Sequence, residues 1–293
     1  MNIVETTTEL RRILAPIRGR DRIAFVPTMG CLHEGHLSLI RKAKRLADIV
    51  IVSIYVNPMQ FGPNEDFDAY PRTFENDAAL CEKEGVDIIF RPENLYSADG
   101  IKVSLKVDGL DSCLCGAARP GHFDGVVTVV NMLFNIVQPD IAIFGEKDYQ
   151  QLAIISRMGS DLQMNVEIIG GATLREKDGL AMSSRNRYLS KDDRSRAPRL
   201  HETLQSMKSL FEQGETDTKK LIKLGKSQLS DAGIKPEYLE IRDARNLMSV
   251  GELDDTPARI FIAAKIGNAR LIDNIALDCA INSTQQCAME TML

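Results

Sequence analysis

From Ile23 to about Gly170 the chain alternates short β-rich runs with longer helical patterns, the mark of a parallel sheet wound by crossover helices. The runs are Ile23–Pro27, Ile49–Val56, Val86–Arg91, Ile141–Gly145 and Val166–Gly170, and several are apolar on both faces, as buried parallel strands are. Between them Leu39, Ile40, Ala43, Leu46 and Ala47 recur at helical spacing, as do Val126, Val129, Val130, Leu133 and Val137. These stripes are core faces. A sheet of this kind also fixes where function sits, because ligands collect outside the carboxyl ends of its strands.

After Ser184 the texture changes. Charged helical segments follow, with Ser190 expected to cap one running to Gln213 and Asp217 one running to Ala232. Tyr238–Arg242, Arg259–Ile266 and Arg270–Ile275 read as short strands, and Gly267-Asn268 is a tight-turn signal between the last two. The expected fold class is therefore α/β, with a wound parallel-sheet domain over residues 1–175 and a smaller α+β domain over 176–293. The stretch 280–293 lacks periodicity and is expected to be a disordered tail.

Composition narrows the function. Acidic residues outnumber basic ones, 41 to 36, and the net charge of -5 leaves no global positive field for a nucleic-acid backbone. Apolar stretches such as Ile49–Val56 fall well short of the ~18 residues of a membrane span. The first residues carry Glu5 and no basic-then-apolar-then-small pattern, which points to the cytoplasm. Neither Cys113-x-Cys115 nor the Cys279/Cys287 pair has zinc-ribbon or redox spacing, so the 6 cysteines are expected to be free thiols.

The first run enters Pro27-Thr28-Met29-Gly30-Cys31-Leu32-His33-Glu34-Gly35-His36, and a helical pattern begins at once. A helix start offers unpaired N–H groups and partial positive charge to an anion, glycines let backbone approach closely, and His33 and His36 can point the same way. The segment suits a phosphate chain. Gly30-x4-Gly35 imitates a P-loop, but His36-Leu37 stands where its lysine and hydroxyl residue belong, and the turn lacks the three glycines of a dinucleotide fingerprint. Zinc competes, although the helical zinc motif separates its histidines by three residues and here two intervene. Two incidental loop histidines are the plain alternative.

Gly145-Glu146-Lys147-Asp148-Tyr149-Gln150-Gln151 follows the fourth run at the same sheet edge. Lys147 supplies a flexible point charge, and Gln151 can donate and accept toward a polar substrate. Met182-Ser183-Ser184-Arg185-Asn186-Arg187 puts hydroxyls and guanidinium groups between the two domains. Alone, these clusters read more simply as a charged helix cap and a solvated linker. Tyr55-Val56-Asn57-Pro58-Met59-Gln60-Phe61 mixes amides with apolar groups, as a small hydroxy acid requires, while a Pro-Gly turn accounts locally for Arg119-Pro120-Gly121-His122-Phe123. His201, in a charged helical stretch, reads as a surface residue.

These segments, with Tyr70-Pro71-Arg72-Thr73 and Gln138-Pro139-Asp140, occur in the order found in the pantothenate synthetase family, which the chain resembles to about Asp278. The resemblance implies a Rossmann-like first domain of the H-x-G-H nucleotidyltransferase superfamily and a second domain acting as a lid. It implies joining of pantoate to β-alanine with ATP, giving pantothenate, AMP and pyrophosphate through a pantoyl-adenylate, in a homodimer with Mg²⁺. Nucleotide contacts carry over to Met29, Gly30, Cys31, Leu32, His33, Glu34, Gly35, His36, Gly145, Glu146, Lys147, Asp148, Leu174, Met182, Ser183, Ser184 and Arg185. Substrate contacts carry over to Gln60 and Gln151, with Pro27, Met29 and Asn57 around them. No protein ligands are assigned to the metal.

In the implied reaction the pantoate carboxylate attacks the α-phosphorus, and His36, His33, Lys147 and Arg185 offset the growing charge, with His36 as proton or hydrogen-bond donor. Cys31, at a variable position of the H-x-G-H loop, is expected to be an oxidation-sensitive thiol beside ATP. A plain nucleotidyltransferase using the same helix start, and a nucleotide-binding regulatory module without turnover, are the rival readings.

Overall fold

The computed structural model describes residues 1–277 except 64, 66, 98 and 255. The expected tail, 280–293, and Cys279/Cys287 lie outside the described residues. The strands are β1 (Asn2–Val4), β2 (Ile23–Thr28), β3 (Ile49–Ile54), β4 (Ile88–Phe90), β5 (Ile141–Gly145), β6 (Glu167–Gly171), β7 (Pro236–Asp243), β8 (Ala258–Ile266) and β9 (Ala269–Leu277). The helices are α1 (Thr7–Leu14), α2 (Glu34–Leu46), α3 (Phe74–Lys83), α4 (Leu114–Ala118), α5 (His122–Val137), α6 (Tyr149–Asp161), α7 (Lys191–Arg196), α8 (Arg199–Glu212) and α9 (Thr218–Asp231).

The chain divides into two compact units, one of Met1–Leu174 with Met182–Ser184, the other of Arg175–Ala181 with the residues from Arg185 onward. In the first, β1-β4-β3-β2-β5-β6 form a parallel sheet. β2 is central and almost wholly buried because Ile23, Ala24, Phe25 and Val26 are apolar on both faces. α2 covers one face with Leu37, Ile40 and Ala43 against Ala24, Val26, Val50 and Ile141. On the other face Phe134 of α5 meets Phe25 and Phe144 edge to face at 6.5 and 6.3 Å.

From β2 the chain runs outward through β3 to β4 and then crosses back to β5 on the other side of β2, so the order reverses there, the place where a ligand crevice is expected at the strands' carboxyl ends. Its opening is visible in the register. β2 pairs with β3 through Thr28, but with β5 only at Ala24 and Phe25. Pro27, with no N–H to give, falls where β2 and β5 have already parted.

The second unit packs α8 and α9 on the antiparallel sheet β7-β8-β9, burying Leu200, Leu204, Met207, Leu221 and Leu229 against Leu239, Ile260, Ile262 and Leu271. Gly267, at φ +56°, opens the two-residue turn that joins β8 to β9. Asp217 caps α9 by accepting from the Lys219 amide at 2.8 Å.

Two expectations are corrected here. The segment capped by Ser190 is two helices: Ala197 and Pro198 keep right-handed helical backbone, but Pro198 has no amide to donate, so the hydrogen-bond ladder of α7 stops there and α8 begins anew. His201 is not a surface group. Its side chain is 15% exposed, pressed on Gly179 and 3.8 Å from Asp273, which itself forms a two-bond pair with Arg175.

Candidate active site

The turn after β2 is held from beneath. Asp77, in the first turn of α3 and 1% exposed, accepts from the amides of Cys31 (2.9 Å) and Leu32 (2.8 Å) and from the Thr73 hydroxyl (3.2 Å). Two successive amides turned toward one carboxylate form an anion nest whose anion is the protein's own. The turn needs left-handed backbone at Gly30 (φ +82°) and Cys31 (φ +50°). A β-carbon at Gly30 would sit 3.0 Å from Asp77 Oδ2 and from Ile54, so only glycine suits both the angle and the space.

The histidines then cap α2. The Gly35 amide donates to His33 Nδ1 (3.1 Å), the His33 amide to His36 Nδ1 (3.3 Å), and the rings lie 4.1 Å apart. With Nδ1 accepting in both rings, the neutral tautomers carry their proton on Nε2. Burial, then the neighbouring His33, push the His36 pKa down to about 3, against a counter-pull from Asp148 and with a further push from Lys147. His36 is therefore neutral at pH 7.

These contacts correct three expectations. The amides of Gly30, Cys31, Leu32, His33, Gly35 and His36 are not open to phosphate: Thr28 Oγ1, Asp77, the two imidazoles and the His33 carbonyl already take them. His36 does not offset the charge as a cation, because desolvation favours its neutral ring. Cys31 is buried at 1% exposure, which removes the access an oxidation-sensitive thiol needs.

The segment after β5 adjoins this turn. Lys147 and Asp148 both act on His36 electrostatically and lie 3.6 Å from one another. Glu146 lies against Gly170, where a β-carbon would be 3.0 Å from Glu146 Oε1. Gln150 is spent on structure: its oxygen accepts from the Cys115 amide and its nitrogen donates to the carbonyls of Leu110 and Cys113, each at 2.9 Å. Gln151, partly buried, makes no side-chain hydrogen bond among the described residues. Met182 bonds to the Leu174 carbonyl at 3.0 Å and its β-carbon is 3.7 Å from the place a Gly35 β-carbon would take, so both residues join the start of α2. Ser183 and Ser184, partly buried, group with the first unit, whereas Arg185 belongs to the second.

After β3 the turn Pro58–Gln60 carries the amide cluster. Asn57, 1% exposed, is fully committed: it donates to Gln60 Oε1 and the Gly125 carbonyl, each at 3.1 Å, and accepts from the Met59 amide and the Tyr96 hydroxyl. Its expected substrate contact is corrected, since both donors and both acceptor positions are used. Gln60 also donates to Met29 Sδ at 3.0 Å and keeps one N–H and one lone pair. A cavity of about 470 Å³ opens beside Met29, Gly30, Tyr55, Pro58, Thr73 and Arg91. Sequence reasoning missed Asp77, because an acid in a helix's first turn ordinarily marks a solvated helix start.

Fold and site define a Rossmann-like α/β protein with a histidine-capped helix start where the sheet order reverses. Residues 2–276 match the family model for pantoate-beta-alanine ligase. A pantothenate synthetase of Pseudomonas putida is 50% identical over 94% of this chain and 98% of its own length, and one of Vibrio parahaemolyticus 52% identical over 90% and 89%. The crystal structure of pantothenate synthetase from Thermus thermophilus matches with a TM-score of 0.90 at 43% identity, covering 95% of this chain and all of that one. The pantoate-beta-alanine ligase of Francisella tularensis, solved with beta-gamma ATP and beta-alanine, matches with a TM-score of 0.77 at 35% identity over 94% and 97%. The chain belongs to the pantoate–β-alanine ligase family. Among the described residues no helix is long and apolar enough to cross a membrane.

Proposed function

We propose that this chain joins pantoate to β-alanine at the expense of ATP, through a pantoyl-adenylate held in the crevice between β2 and β5, and releases pantothenate, AMP and pyrophosphate. The observation that carries the reading is the juxtaposition of the His33–His36 turn with Lys147 and Asp148 at the reversal of the sheet, in a family member.

A pantoate carboxylate oxygen attacks the α-phosphorus, the bond to the bridging oxygen breaks, and pyrophosphate leaves. The β-alanine nitrogen, having shed its ammonium proton to water, then attacks the acyl carbon, AMP departs with the former carboxylate oxygen, and the nitrogen gives up a second proton as the amide forms. No protein nucleophile is needed. Because the turn's amides are occupied, side chains meet the phosphates: His36 donates its Nε2–H as a hydrogen bond rather than a proton, beside His33, and Lys147 and Arg185 supply charge. Gly145–Asp148, Leu174, Met182, Ser183 and Ser184 line the nucleotide, and Cys31 and Leu32 contribute the shape of the turn instead of contacts. Pantoate sits between Gln60 and Gln151 against Met29 and Pro27, and the amine approaches on the Gln60 side.

The magnesium ion implied by the family fits a site of this composition. Exposed Asp148 is an oxygen donor of the kind this hard cation takes and would help to hold it. When bound, it neutralises charge on the leaving phosphates. The enzyme shields the mixed anhydride from water and works as a cytoplasmic homodimer.

Pantoate, β-alanine and MgATP are expected to give AMP and pantothenate in equal amounts. ADP and phosphate would reject the reading, sustained pyrophosphate release without amine would favour a plain nucleotidyltransferase, and ATP binding without AMP under any acid and amine a regulatory module.

A further inference from the structure

The Arg119-Pro120-Gly121-His122-Phe123 segment is more than a local turn and converges on a single atom of the site. Arg119 closes α4 and His122 opens α5. Arg119 donates to His122 Nε2 at 2.9 Å, and since a guanidinium only donates, the ring's proton must be on Nδ1. That proton goes to the Gln60 main-chain carbonyl, 2.7 Å away. Arg119 adds a second donor to the same oxygen at 3.2 Å, so both of its lone pairs are engaged. Behind them Glu65 accepts two bonds from Arg119, at 2.6 and 2.5 Å, which fixes the plane of the guanidinium.

Charges and packing reinforce this arrangement. Burial works to raise the Glu65 carboxyl, but the hydrogen bond and charge of Arg119 prevail and hold it below the usual carboxylate range. Burial and then the Arg119 charge lower His122 to about 4, so its tautomer is stable at neutral pH. The first turn of α5 presses on the Pro58–Gln60 turn: a β-carbon at Gly125 would lie 2.3 Å from the Met59 carbonyl oxygen, and the Gly125 carbonyl accepts from Asn57. Gln60 thus extends from main chain that α5 and the ion pair hold in place.

We propose that Arg119, His122 and Glu65 are positioning residues for the acid and amine substrates, acting through the Gln60 carbonyl and touching neither ATP nor the reacting atoms. The proposal rests on the substrate role of Gln60 given above. It predicts an effect confined to one side of the reaction.

The variants are His122→Phe, which keeps a ring and loses the donor, and Arg119→Lys, which keeps the charge and loses the fork. Both are expected to raise KM for pantoate and β-alanine about tenfold, the scale of one lost hydrogen bond, with KM for ATP unchanged. His122→Gln, which retains a donor, is expected to restore part of the loss. Combined with Gln60→Ala, neither variant should add a further effect, because the route through Gln60 is already cut. A parallel rise in KM for ATP, additive loss in the double variants, or unchanged pantoate KM in both single variants overturns the proposal, and Arg119→Lys decides alone if His122→Phe does not fold. If Gln60→Ala itself leaves pantoate KM unchanged, the assignment of Gln60 fails first.

Discussion

The two turns at the carboxyl ends of β2 and β3 are built from opposite halves of the hydrogen bond. After β2, a buried carboxylate, Asp77, gathers main-chain N–H groups. After β3, an arginine and a histidine gather on a main-chain carbonyl. In both, charge stands one layer behind the surface, and the groups proposed to meet substrate, His36 and Gln60, are neutral. A neutral donor on a fixed main chain strengthens its bond as charge develops on the substrate, without the desolvation that an exposed cation would suffer on binding.

The contrast breaks most sharply at His36. Its replacement by alanine is expected to lower kcat by about 10²–10³, the scale of one lost donor to a developing oxyanion, with a smaller change in KM for ATP; steady-state turnover that stays at the parent value would refute its role. Next is Asp77→Ala, which leaves two buried amides without an acceptor. At about 1–3 kcal/mol for each, urea unfolding should show a loss of several kcal/mol, and Asp77→Asn, which keeps one acceptor, a smaller one. Equal stability of all three proteins would mean that the turn does not depend on the carboxylate.

Acid sharpens the comparison further. His36 and His122 are lowered in the folded protein, to about 3 and about 4, from an ordinary value of 6.5. The unfolded chain therefore binds more protons below pH 6.5. Stability is full above that pH and falls on acidification toward 4, by at most about 1.4 kcal/mol per pH unit for each ring. His36→Gln should flatten this slope in melting curves recorded between pH 6.5 and 4.5, and an unaltered slope would assign the loss to other groups. The smallest expected effect is spectroscopic: the His36 ring nitrogens should keep the shifts of a neutral Nε2–H tautomer from pH 8 to 5, and a midpoint near 6.5 would contradict the buried, neutral ring.

Most of the first unit was legible because its strands are apolar on both faces and its helices carry a clean stripe; β5 has the expected bounds and β2, β3, β4 and β6 differ by one or two residues at an end. The turn motifs were legible too, since glycines, histidines and a lysine at strand ends have few other uses. What escaped was long-range pairing. β1 is three residues whose order comes from pairing with β4, more than eighty positions away. Asp77 reaches back 46 residues to Cys31, and Arg119 reaches 54 to Glu65. No local period encodes such partners. Pro198 was a local signal, but the charged residues around it continue the helical pattern on both sides.

An oxygen of the acid passes through an adenylate on the way to AMP, and isotope transfer follows that atom. With pantoate labelled with ¹⁸O in its carboxylate, β-alanine and MgATP, mass spectrometry of the products should find one ¹⁸O in the phosphate of AMP and one remaining in the amide carbonyl of pantothenate. AMP free of label, or label appearing in inorganic phosphate alongside ADP, would contradict it.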